Sequence, residues 1–269
     1  MKILRIAAIG ILLLGSILAL VPMIWLILAT FRANDRVFSE VFTVTKPTLA
    51  NYTDLFTTVP FFQFLANSTF LACTAVCLQV FFSSLAGFAL AKYDFQGKKL
   101  VMGIMLATVL IPGQLTLAPS YDLLYRMHLV DTYQGLLSPG AVSVFGIFLF
   151  RQSMVRIPDE LLQAGRIDGC SEFGLYWNVV LPVSRPMIGA FSLMTFMATW
   201  NSFLWPQIML HSKLKYTLPI ALAQMVGLYQ QQYGMLMAGT LVAVLPVIVL
   251  FLLLQKEFVA GLTAGAVKG

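Results

Sequence analysis

Ile157-Pro158-Asp159-Glu160-Leu161-Leu162-Gln163-Ala164-Gly165-Arg166-Ile167-Asp168-Gly169, followed by Cys170-Ser171-Glu172-Phe173-Gly174 and ending Leu181-Pro182, is a compact polar stretch between two long apolar segments. Its punctuation predicts a short helix, a sharp turn and a second helix. Pro158 suits the first helical position, and Asp159 and Glu160 put negative charge where the helix dipole is positive. Gly169 suits a helix C-cap, Ser171 an N-cap, and Pro182 lies near where the second helix must end. Leu161, Ala164 and Ile167 fall three apart, with Gly165 and Asp168 beside them. Such a stripe of apolar and very small residues lets a partner backbone come close. Spacing alone fits equally a loop that is helical and docks nothing.

Composition sets the surroundings of this stretch. Hydrophobic residues make up 59% of the 269 and charged residues 10%, with a mean hydropathy of +0.86. A soluble domain carries roughly 25% charged residues, so the chain is a polytopic membrane protein, and its long apolar runs make the expected class all-α. The net charge of +6 does not call for nucleic acid, because the basic residues are scattered among loops. Cys73 and Cys77 sit one helical turn apart in an apolar segment and Cys170 in the polar loop; packing is the expected role of all three.

Six crossings are predicted from runs of about 20 apolar residues. They are Ile6–Phe31, Ala66–Ala91, Leu100–Pro119, Tyr133–Phe150, Pro186–Met209 and Met235–Leu254. Lys2 and Arg5 resemble the start of a signal peptide, but the apolar run after them exceeds the roughly 7–15 residues of that class. The first crossing is therefore read as uncleaved. Tyr216–Val226 is too short to cross, and Gly227–Gly234 is polar. Pro112-Gly113 interrupts the third crossing, read as a kink in a packing helix with a wet cavity as the alternative. With both termini inside, eleven of the 17 Lys and Arg fall on the cytoplasmic side while the acids divide nearly evenly, as the positive-inside rule expects. The predicted domains are a first crossing with an external loop (residues 1–65), a five-helix core (66–256) containing the polar loop (157–186), and a tail (257–269).

No enzyme site is legible. The two histidines, His128 and His211, are far apart, no Cys/His cluster has metal-ligand spacing, and Gly97-Lys98-Lys99 lacks the remainder of a nucleotide-binding loop. No charged residue falls within a predicted crossing, which weighs against an ion-coupled secondary transporter. A membrane subunit that docks a partner without transporting is the other alternative.

Gln163-Ala164-Gly165-Arg166-Ile167-Asp168-Gly169, followed by Val179-Val180-Leu181-Pro182, resembles the EAA loop of bacterial ABC-importer permeases. The likeness is to the carbohydrate-uptake branch, such as the maltose, lactose and glycerol-3-phosphate permeases, and to their second permease subunit. Pro47 to Tyr52, Asn67-Ser68, Ala89 to Tyr93 with Phe95-Gln96-Gly97, Trp200 to Pro206 and the tail Gly261 to Gly269 carry it over most of the chain. The resemblance implies a type I ABC importer permease fold in the bacterial or archaeal cytoplasmic membrane. It implies a heterodimer with a second permease subunit, two cytoplasmic ATPase subunits, an extracytoplasmic solute-binding protein and contact with membrane lipid. No cofactor is expected on this chain, ATP and Mg being bound by the ATPase. The solute could be a sugar, an oligosaccharide or glycerol-3-phosphate.

In that family the loop is a coupling helix, so Gln163 through Gly169 become the expected ATPase-coupling residues, with Ala164 and Gly165 against the ATPase. The family commonly has Glu-Ala-Ala where this chain has Gln163-Ala164-Gly165. A carboxylate is lost, and an exposed helical glycine costs about 0.8–1 kcal/mol relative to alanine. Asn201, Trp200 and Gln114 are the candidates for the substrate path. For polar residues in crossings, Gln79, Gln207 and Asn67 among them, interhelical hydrogen bonding is the competing role. Trp205 is expected to anchor at the outer interface.

Overall fold

The computed structural model describes residues 2–228 and 232–263, and among these the chain is helical with no strand. α1 (Lys2–Thr30), α2 (Ala50–Thr58), α3 (Phe61–Lys92) and α4 (Lys98–Val109) come first. α5 (Leu117–Arg126), α6 (Tyr133–Leu137) and α7 (Val144–Met154) follow. The polar stretch forms α8 (Asp159–Ile167), α9 (Glu172–Leu175), a π-helical turn (Tyr176–Val180) and α10 (Leu181–Val183). The chain continues as α11 (Arg185–Trp200), α12 (Leu204–Met209), α13 (Leu218–Leu228) and α14 (Tyr233–Thr263).

α1, α3 and α14 are each long and apolar enough to cross a membrane, and three bent helix pairs bring the possible total to six. The kink expected at Pro112-Gly113 is present, and two further pairs are bent where no break is expected. The third breaks after α4 and turns by 93° into Gly113–Arg126; Pro112 lacks an N–H and disfavours helix at Ile111 before it. Tyr133–Gly140 turns by 49° into α7 through a 3-10 turn at Ser138–Gly140. The expected crossing Pro186–Met209 is interrupted at Asn201, where Asn201 Nδ2 donates to Met197 O at 2.8 Å and closes the end of α11. An 80° bend at Ser184 sets α11 off from the polar stretch before it. α13 has 11 residues, short as expected, and α14 runs past the expected end at Leu254. Part of the Gly227–Gly234 stretch and most of the tail Gly261–Gly269, with Lys268, lie outside the described residues.

The chain divides into two compact units. In one (Met1–Leu65 with Ile220–Pro246), α1 keeps its apolar surface exposed, as a lipid-facing helix must. The loop after it is ordered by Arg32, only 1% exposed and hence no surface charge. Its guanidinium donates to the carbonyls of Thr43 (3.0 Å), Val37 (3.2 Å) and Val41 (2.8 Å). Asn51 on α2 donates to Thr30 O and Arg32 O, both at 2.7 Å, tying α2 to the end of α1.

In the other unit (Ala66–Pro219 with Val247–Gly269), α3 supplies the longest helical segment, from Ala66 to Lys92. Near one end, Asn67 donates to Leu214 O and Tyr216 O, and Ser68 Oγ accepts from Leu218 N. Beside them Asp131 accepts from His211 N, Ser212 N and Oγ, and Lys215 Nζ. Burial pushes the Asp131 carboxyl up, but these donors together outweigh it and hold it far below the usual carboxylate range. At its other end α3 meets the polar stretch. Cys73 and Cys77 are exposed on α3, against the packing role expected for them.

Arg32→Ala should leave three carbonyls unpaired and destabilise the protein by about 2–4 kcal/mol, with Arg32→Lys intermediate because an ammonium cannot reproduce the guanidinium fork. Thermal denaturation of purified protein in nanodiscs measures both.

Candidate functional site

The polar stretch folds as a helical hairpin whose turn is set locally. Gly169, at φ +82°, is in the left-handed region, Gly169 N donates to Arg166 O, and Cys170 N donates to Gly165 O. This pair of bonds satisfies the last carbonyls of α8 in the pattern a glycine after the cap makes possible. Ser171 Oγ then accepts from Gly174 N at 3.1 Å and opens α9. Pro158 stands one residue earlier than expected, as the cap before α8 rather than its first residue.

The hairpin is seated on the ends of neighbouring helices. Leu162, Leu175, Tyr176 and Val180 are buried with Phe88 of α3, Phe150 and Met154 of α7, and Phe191 of α11. Tyr176 OH and Ser84 Oγ hydrogen-bond at 2.7 Å. Lys92, whose side chain is 5% exposed, donates to Ile157 O and pairs with Asp159 Oδ1 at 2.7 Å. Arg166 Nε meets Glu172 Oε1 at 2.8 Å across the turn, and Tyr93 donates its hydroxyl to Glu172 Oε2. The hydrogen bond from Lys92 holds the Asp159 carboxyl below its usual range. Arg166, and after it Tyr93, lower Glu172 to about 2.

This seating decides which residues face outward. Leu161, Ala164 and Ile167 are exposed, Ile167 at 87%, with Gln163, Arg166, Asp168 and Gly169 around them. Gly165 is not on that face. It is buried, and a Cβ there would meet Leu175 Cδ2 at 2.4 Å. The expectation that Gly165 contacts a partner is corrected: it lets α8 close on α9, and the cost reckoned for an exposed helical glycine does not apply.

A cavity of about 530 Å³ lies in the same unit. It is bordered by residues at three of the four helix breaks, Thr116 and Ser120 after Pro112, Pro139 and Ser143 around the second, and Ser202 and Trp205 after Asn201, while the bend at Ser184 is not on it. The break at Pro112-Gly113 is thus more than a kink in a packing helix. The substrate-path candidates do not line this space. Trp200 is buried and stacked on Phe196 (5.3 Å, 17°), while Asn201 and Gln114 are exposed elsewhere. Gln79 does line it, donating to Gly140 O at 2.8 Å and accepting from Thr195 Oγ1 at 3.3 Å. Trp205 borders it too and donates Nε1–H to Leu136 O at 3.1 Å, so the indole is held within the fold rather than simply anchored at an interface. The signal that was missed is a row of small hydroxyl residues, Thr195, Thr199 and Ser202, at near-helical spacing. Among the described residues no three His, Cys, Asp or Glu side chains converge to hold a metal.

Residues 43–262 match the family described as the binding-protein-dependent transport system inner membrane component, and the chain belongs to that family. It is a multi-pass membrane permease subunit of a binding-protein-dependent ABC importer. It is similar to the arabinooligosaccharides transport system permease protein AraQ of Halalkalibacterium halodurans, 35% identical over 94% of this chain and 93% of that one. AraQ of Bacillus subtilis is 40% identical over 81% of this chain and 78% of its own. A crystal structure of a bacterial ABC transporter involved in the import of the acidic polysaccharide alginate shares the fold, with TM-score 0.86 at 21% identity over 96% of this chain and 97% of that chain.

Gly165→Val should force α8 off α9 at a cost of about 1–3 kcal/mol, the range for overpacking a filled core. It should be read as new protease cleavage within the hairpin and raised amide exchange there. The ion pairs give a pH dependence of defined sign. Because Asp159 and Glu172 are held below their usual range, their contribution is present above it and lost as pH falls through the lowered values. Hairpin amide exchange, corrected for its intrinsic rate, should therefore stay constant down to the usual value of 4.5 and rise as pH falls from there toward about 2.

Proposed function

We propose that this chain carries an oligosaccharide across the membrane, arabino-oligosaccharide first among the candidates, and that partner ATPase subunits drive it by seating the exposed face of α8. The observation that carries this reading is the hairpin itself: an apolar stripe ending in an almost fully exposed Ile167, on a helix whose opposite face is locked to α3, α7 and α11. An exposed isoleucine on a rigid support is suited to filling a groove on another protein. The two AraQ relatives support the saccharide class, at 35% and 40% identity.

In this reading the hairpin faces the cytoplasm, both termini with it, and ATP with Mg is bound and hydrolysed by the two ATPase subunits. A second permease subunit completes the path, and an extracytoplasmic binding protein delivers the solute, in a bacterial or archaeal inner membrane. A bacterial alginate ABC transporter of related fold has been crystallised with an alginate pentasaccharide-bound periplasmic protein, an arrangement that supports delivery of this kind.

Ile167→Asp and Ala164→Trp test the docking face without touching the hairpin's own core. Each should lower ATPase association by about 2 kcal/mol or more, as loss of a central anchor does, and reduce solute-stimulated ATP hydrolysis in the reconstituted importer. Expression and thermal stability of the isolated chain should be unchanged. Normal coupling in both variants would overturn the docking assignment.

A further inference from the structure

The cavity wall is uncharged. No Asp, Glu, Lys, Arg or His lines it among the described residues; hydroxyl side chains, the Gln79 amide and the aromatic side chains of Phe145, Phe191 and Trp205 do. Its volume of about 530 Å³ falls in the usual range for small-molecule sites, roughly 300–1,000 Å³. An anion brought here would shed its hydration with no cation to replace it, a large penalty in a membrane interior. A sugar ring has hydroxyls to match hydroxyls and apolar faces to match aromatic ones.

Most of the polar wall is already engaged in holding the fold. Gln79 spans Gly140 and Thr195, Ser68 Oγ accepts from Leu218 N, Ser143 Oγ accepts from Gly146 N, and Thr116 donates to Gly113 O. Thr217 is different. It borders the cavity and is 6% exposed, and its hydroxyl oxygen has no hydrogen-bond partner. Buried polar groups are normally paired.

We propose that the uncharged wall makes this cavity a selectivity site for neutral saccharides, excluding uronate- and phosphate-bearing ones, and that the Thr217 hydroxyl hydrogen-bonds the sugar in transit. This rests on the importer reading above and adds to it the charge class of the solute and one contact residue.

The test uses the complete importer in proteoliposomes, with its partner subunits, ATP and binding protein. The probes are neutral oligosaccharides and uronic-acid oligosaccharides of equal length, each first shown to bind the binding protein. Neutral chains should enter about tenfold faster or more, since a site without a matching group rejects a charge strongly. Thr217→Val, which keeps the shape and removes the unpaired hydroxyl, should cut uptake by about five- to tenfold. Its melting temperature should be unchanged or higher, and Thr217→Ser should restore transport. Equal uptake of uronate and neutral chains, or normal uptake by Thr217→Val, overturns the proposal and leaves the importer reading standing. So does a Thr217→Val protein that loses stability and transport together, because the hydroxyl is then structural. A wild-type importer that moves no saccharide and shows no solute-stimulated hydrolysis overturns both.

Discussion

Tyr176 is the residue on which both arms of the hairpin depend. Its ring lies among Phe88, Phe173 and Trp177, and its hydroxyl bonds Ser84 one turn before Phe88 on α3. It sits at the start of a π-helical turn, the kind of local widening often found at functional positions in helices. With Tyr176 seated, Leu175 closes on Gly165, and α8 is fixed with Leu162 inward and Ile167 outward. Lys92 and Tyr93, at the end of the same helix that carries Ser84, tie the two arms from outside. The exposed face of α8 is therefore not a property of α8 alone.

A second constraint acts on the cavity. A membrane-crossing helix satisfies its own backbone, and an interruption is tolerated where protein or a cavity surrounds it. Three of the four interruptions, at Pro112, at Ser138–Gly140 and at Asn201, border one space. Pro112 ends α4, so that the chain turns through 93° and brings Thr116 and Ser120 to the wall. At the third interruption Asn201 closes α11, and Ser202 and Trp205 follow it onto the wall.

What the sequence made legible follows from how local each feature is. Gly169 and Ser171 were readable because a cap is made by neighbours in the chain, and the bonds at Cys170 and Gly174 are those the residue types call for. The Pro112-Gly113 break was readable as a break but not as a wall, since its angle and surroundings are set by helices remote in sequence. Gly165 was misassigned for the same reason: what it touches is Leu175, across the turn, and one-residue differences on a helix decide inward from outward. Trp200, Asn201 and Gln114 were drawn toward the path by polarity or ring size alone. Trp200 instead stacks within its own helix, and Asn201 ends it. The burial of Arg32 was not legible, because its three carbonyl partners come from a loop no periodicity describes.

α3 carries the Gln79 amide at the cavity and Lys92 at the hairpin on one unbroken helix. Thirteen residues at 1.5 Å each separate them, a stiff arm of about 20 Å. Tilting such an arm by about 10° moves its far end by about 3.5 Å, roughly the width of one carbon–carbon contact. The length of α3 alone would therefore enlarge a modest angular displacement at the hairpin into one of atomic-contact size at the cavity.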